Sequence, residues 1–358
     1  MKLRFLALTA LLATSACEDP GTEAERPFIL GTDGDSQVAL VVNSTGKTLT
    51  LFRVGDPTQK REVPFGASAS VTPTGLAVGG RRAAVPLGNA ASVALVDLEQ
   101  LRIERFFLFP GGNATGAVFA DDTTLLAANF IDDYVGRVTV GQAADSIRQR
   151  VNVAPAPTAI VMAGARAAVI SSNLNAAYAP IGNGVVTFLD PRTLQVVGTV
   201  QSGGTNSGAA AVGPDGLLYV VNTGDYVADG TVTIINPATL RVEATVGGFG
   251  AGPGSIHIDR AGLAYVSGFF TGTVVWDTRN RTFVRGVTNP VCARTAAGRC
   301  RGAFDVSTDV QGNVYQAFFG SASEGLAPYV FVYRPGSFTL ADSVAAGNGP
   351  AAIELRAF

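Results

Sequence analysis

Ser207-Gly208-Ala-Ala-Ala-Val212, a turn at Pro214-Asp215-Gly216, Leu217-Leu-Tyr-Val-Val221-Asn222, Gly230-Thr-Val-Thr-Ile-Ile-Asn236 and Leu240-Arg-Val-Glu-Ala-Thr-Val246 form the stretch on which the fold is decided. Its short apolar and β-branched runs are separated by Gly, Asn, Asp and Pro, the pattern of strands joined by tight turns. We name the four strands A, B, C and D in chain order. Working outward, strand C recurs as Thr48–Phe52, Ser92–Asp97, Gly136–Val140, Val185–Asp190, Thr273–Asp277 and Tyr329–Tyr333. Successive C-strand ends, at 53, 97, 141, 190, 236, 277 and 334, are 44, 44, 49, 46, 41 and 57 residues apart. A period of about 45 with four strands per unit predicts an all-β chain, a seven-bladed β-propeller over residues 37–358. The longest interval contains Cys292 and Cys300.

The ends of the repeat are complementary. The first copy begins at a B strand, Gln37–Asn43, with no A strand before it, and Gly349–Leu355 is an A strand with no B strand after it. The C-terminal strand is therefore expected to complete blade one and close the ring. Phe28-Ile29-Leu30 is expected to add a short outer contact. Asn43, Asn89, Asn129, Asn173 and Asn222 are expected to end their B strands as scaffold residues, with Gly268 and Phe318 in the same slot of the last two blades.

The chain has 358 residues, 47% hydrophobic and 15% charged, with a net charge of −2 and one histidine. That apolar fraction excludes a disordered chain. The charge disfavours nucleic-acid binding, and few groups are available for metal or acid/base chemistry. No P-loop, Gly-x-Ser-x-Gly, Cys-x-x-Cys-His or His-Glu-x-x-His is present.

Lys2 and Arg4, the apolar run Phe5–Ala13 and the small residues before Cys17 form an export signal over residues 1–16. Ser15-Ala16-Cys17 resembles the lipobox of bacterial lipoproteins, which implies a lipid on Cys17 and a membrane tether. Thr14 stands where that pattern usually has Leu, and cleavage after Ala16 leaving an unmodified Cys17 is the alternative. Residues 17–36 begin as an acidic, Pro-containing stretch without a large apolar side chain before Phe28, the composition of a solvated tether. Past an export signal, Cys292 and Cys300 are expected to form a disulfide.

The copy Leu218-Tyr-Val-Val-Asn222 with Thr231-Val-Thr-Ile-Ile-Asn-Pro-Ala-Thr239 resembles the YVTN-type propeller repeats of bacterial and archaeal surface proteins. The resemblance covers residues 37–358 and is strongest in blades four and five. It implies an envelope protein; similar proteins include surface-layer components, a nucleic-acid-binding branch and lactonase-like enzymes.

Strands A line the central channel of a propeller. Aligned on the Gly or Pro that opens each, their intervening slots read Ala77, Phe119, Val161, Ala211, His257, Asp305 and Glu354, followed by Gly79, Asp121, Ala163, Gly213, Asp259, Ser307 and Arg356. Polar groups thus gather on blades six, seven and one, and His257, Asp259, Asp305, Glu354 and Arg356 form the candidate ligand site. On one reading, His257, Asp305 and Glu354 bind a divalent metal or share protons, the carboxylates raising the imidazole pKa. On the other, they are a hydrated ion-pair lining with no cofactor. A second candidate is the loop face with the B–C and D–A connections, carrying Ile131, Tyr134, Tyr178, Tyr226, Phe249, Phe269, Phe270, Phe318 and Phe319. The expected function is a monomeric, non-enzymatic binding or scaffold propeller, lipid-anchored in the cell envelope, with a protein or small-molecule ligand on the loop face. The alternative is a lactonase-type hydrolase or lyase using the channel groups.

Overall fold

The computed structural model describes residues 26–30, 37–141, 147 and 149–358. Cys17 lies outside them. Seven antiparallel sheets of four strands each form the blades of a propeller. The innermost strands, from blade two round to blade one, are Ala77–Gly79, Ala114–Asp121, Pro157–Ala163, Ser207–Val212, Pro253–Ile258, Asp305–Thr308 and Pro350–Ala357. The last closes the ring as expected, pairing from Gln37↔Ala357 to Asn43↔Pro350. No helix among the described residues is long and apolar enough to cross a membrane.

Both faces of every blade are covered by neighbours, so the middle strands need no polar side. Gln37–Asn43, Leu218–Asn222 and Val314–Phe318 are buried throughout, whereas the outer strand Arg241–Val246 is mostly exposed. The core divides into seven apolar clusters, one between each pair of adjacent blades. At the seam, Ala39, Val41 and Ile353 of blade one pack on Tyr315, Ala317, Val330 and Val332 of blade seven. Phe28 and Ile29 join the cluster between blades one and two, and Arg53 donates to the Phe28 carbonyl at 2.8 Å.

Turn chemistry repeats with the blades. In the C–D turns of blades two, four, five and six, Asp97, Asp190, Asn236 and Asp277 each accept two backbone N–H groups through Oδ1. In blades two, four and five a leucine with positive φ follows (Leu101, Leu194, Leu240), its side chain turned into the core. The left-handed conformation costs a non-glycine residue about 1 kcal/mol, and burial of the leucine offsets it.

Three details differ from the sequence reading. In blade three, irregularities on either side of Ala117–Phe119 slip the inner strand by one residue, so that Phe119 packs toward blade two and Val118 toward blade four. In blade seven, the disulfide-bearing insert displaces the opening glycine. Pairing places Asp305 opposite Ala317 and Ser307 opposite Tyr315, level with Ser255 and His257 of blade six respectively. The B-strand terminal slot holds Asn43, Asn129 and Asn222 as expected, but Ser171 rather than Asn173 in blade four. In blade two, Arg82–Pro86 ends before Asn89.

Candidate functional site

The inner strands surround a channel of about 770 Å³. Near its mouth, blades two, three and four place a threonine at matching positions, and each hydroxyl reaches forward. Thr74 Oγ1 stands within reach of the carbonyls of Ala114 (3.1 Å) and Thr115 (3.0 Å), and Thr115 donates to Pro157 (2.8 Å). Thr158 Oγ1 lies between the carbonyls of Ile170 in its own blade (3.2 Å) and Ser207 (3.3 Å), which also accepts from Ser172 Oγ (2.8 Å). A hydroxyl girdle thus links blades two to five. The sequence reading did not single out these residues, although Pro73-Thr74-Gly75, Ala114-Thr115-Gly116 and Pro157-Thr158-Ala159 recur at the openings of the strands.

The polar groups of blades six, seven and one continue the same forward reach with different chemistry. His257 Nε2 lies 2.8 Å from Thr308 Oγ1 of blade seven. Asp305 accepts the backbone N–H of Val306 (2.9 Å) through Oδ1 and that of Ile353 in blade one (2.8 Å) through Oδ2. Glu354 pairs with Arg356 at 2.7 Å, and Arg356 donates to the Val78 carbonyl of blade two at 3.3 Å. Asp259 belongs elsewhere. It caps its A–B turn by accepting Leu263 N–H (2.9 Å) and Tyr265 O–H (3.2 Å), as Asp215 and Asp309 do with Tyr219 and Tyr315.

Burial governs the ionisation of these groups. It pushes the Asp305 carboxyl up to about 6, against the two backbone N–H donors that favour its anion. Glu354 is also raised by burial, with Arg356 opposing and Asp305 reinforcing the shift. Burial drives the His257 imidazole down to about 4, with the Asp259 charge opposing. The expectation that carboxylates would raise the imidazole pKa is therefore reversed: His257 sits one level below Asp305, and desolvation exceeds the attraction of Asp259. Among the described residues, no group of three or more His, Cys, Asp or Glu side chains is placed to hold a metal ion.

The loop face divides into buried and exposed aromatics. Tyr134, Phe249 and Phe318 are core residues; Tyr134 donates to the Pro110 carbonyl, and Phe249 meets Trp276 edge-on. Tyr226, Phe269, Phe270, Phe304 and Phe319 form an arc around the channel mouth across blades five to seven, whereas Ile131 and Tyr178 lie apart from it in blades three and four. Tyr226 lies 6.2 Å from Phe269, Phe269 meets Phe304 edge-on at 4.9 Å, and Phe304 stacks on Phe319 at 4.7 Å. Phe270 and Tyr178 are 63% and 64% exposed, and Tyr178 stacks on Phe130. Gly254 makes room for the arc, since a Cβ there would stand 2.6 Å from the Phe269 ring. Behind the arc, Phe269, Phe270, Phe304 and Phe319 line a pocket of about 560 Å³ walled by residues 299–302, next to the Cys292–Cys300 disulfide.

No protein-family model matches the chain, and no curated protein does. Among solved structures, the chain is similar to Kuenenia stuttgartiensis hydrazine synthase, with a TM-score of 0.63 and 13% identity over 80% of this chain and 90% of that one. Likeness at that identity is likeness of fold.

Proposed function

We propose that the protein is a non-enzymatic binding propeller of the cell envelope, held by a lipid on Cys17, which receives its ligand or partner on the aromatic arc at the channel mouth. One observation carries this reading. His257, Asp305 and the Glu354–Arg356 pair are engaged in contacts within or between blades, while exposed rings collect at the mouth. Side chains already committed to joining blades are poorly placed to attack a substrate, whereas exposed aromatic faces are the usual anchors of recognition.

A photocrosslinking amino acid at Phe270 is expected to give adducts in the native envelope, and one at Val310, on the opposite face, is not. Equal yields would remove the assignment to the mouth. Metal in the purified protein, together with lactone hydrolysis that disappears in His257→Ala and Asp305→Ala, would replace this reading with the enzymatic one. The tether has its own test. Globomycin should block processing of the precursor, and the Cys17→Ala protein should leave the membrane fraction; retention of that variant refutes the anchor.

A further inference from the structure

The pocket beside the disulfide carries a cation whose hydrogen-bonding capacity is not filled. The segment between the outer strand of blade six and the inner strand of blade seven holds three arginines. Arg294 donates to the Gly298 carbonyl within the insert (2.8 Å), and Arg299 pairs with Glu324 across the pocket rim (3.1 Å). Arg301 makes neither kind of contact. Its guanidinium lies over the rings of Phe318 and Phe331, 5.5 Å from each centroid, and its buried Nε has no hydrogen-bond partner. Among the described residues it joins no ion pair.

A guanidinium held by two rings, partly withdrawn from water and without an acceptor, carries a desolvation cost that an anion would offset. The rest of the pocket suits an apolar body. Phe304 and Phe319 are stacked, Phe269 abuts Phe304, and Phe270 stands exposed at the edge. A volume of about 560 Å³ accommodates a small organic molecule. Gly302 lets the insert approach the Phe269 carbonyl so closely that no side chain would fit there, which fixes the Arg301 wall against the arc.

We propose that this pocket binds a small organic anion with a flat apolar body, its carboxylate or sulfonate on Arg301 and its body across Phe304 and Phe319. The proposal rests on the binding reading of the mouth and adds the ligand class to it. Two fluorescent probes of nearly the same shape test it on the intact, disulfide-bonded protein: 1-anilinonaphthalene-8-sulfonate and its uncharged counterpart N-phenyl-1-naphthylamine. The sulfonate should bind more tightly than the neutral probe, and added salt should weaken only the sulfonate. Arg301→Gln should weaken the sulfonate by about tenfold, the factor of a lost charge-assisted hydrogen bond, and leave the neutral probe unchanged. Phe304→Ala should weaken both. If Arg301→Gln binds the sulfonate as the wild type does, the anion assignment is overturned while the mouth remains a binding face. If Phe304→Ala leaves both probes unaffected, the mouth itself is overturned. Should Arg301→Gln lose both probes through collapse of the pocket, Arg301→Lys decides: a retained preference for the sulfonate upholds the proposal, and equal binding of the two rejects it.

Discussion

His257 and Asp305 are buried groups whose ionisation works on stability in opposite directions. The Asp305 carboxyl titrates near 3.8 when unperturbed and at about 6 in the fold, so between those values the folded chain holds a proton that the unfolded chain has released. Its contribution therefore declines as pH rises from about 4 to about 6 and is constant above that. The His257 imidazole titrates at 6.5 when unperturbed and at about 4 in the fold, so the unfolded chain takes up its proton first on acidification. Its contribution is complete above pH 6.5 and declines as pH falls through that window. Each slope is about 1.4 kcal/mol per pH unit, and the two nearly cancel between pH 4 and 6. Removing either group should expose the other. Urea unfolding of Asp305→Asn should show stability rising with pH across that interval, and His257→Gln should show it falling. Variants that both follow the wild-type profile would show that neither group senses the fold.

The elements differ in how plainly the sequence announces them. Strands B and C are short, largely apolar runs bounded by Asn, Asp and Gly, so the period and blade count could be read from the spacing of the C strands. Strands A could not be registered as securely. They mix small residues with apolar ones and lie against neighbours on both sides, so a one-residue slip leaves little trace in the residue pattern. The irregularity around Phe119 and the insert ahead of Asp305 moved those strands by one and two residues, and only pairing with strand B restores the levels. The candidate site was correspondingly half legible. That His257, Asp305, Glu354 and Arg356 belong to three consecutive inner strands followed from the repeat. That each is engaged in blade-joining or ion-pair contacts, and that Asp259 caps a turn, depended on the side-chain partners. Arg301 was invisible for a related reason: nothing in the spacing of the insert says which of its arginines lacks an acceptor.

At the scale of the whole molecule, stability depends on one circular set of interfaces. Gln37–Asn43 is a buried strand whose inner edge is satisfied only by the last strand of the chain. Deleting residues 349–358 would leave that edge unpaired and uncover the cluster shared by blades seven and one. At about 1 kcal/mol for each backbone hydrogen bond lost, together with the apolar area exposed, the deletion should cost on the order of 5 kcal/mol or more. Thermal melting and size-exclusion chromatography should show a lowered midpoint and self-association. A monomer that melts like the full chain would mean the ring does not need its seam.

The pairing of Gln37 with Ala357 has a directional result. Both ends of the circular chain path meet on the rim carrying the A–B and C–D turns, whereas Phe270, Phe304 and Tyr226 occupy the far rim. A leash attached ahead of Phe28 would then hold the disc by its underside. On the proposed reading of a lipid on Cys17, its aromatic crown would then face away from the bilayer rather than toward the lipid beneath.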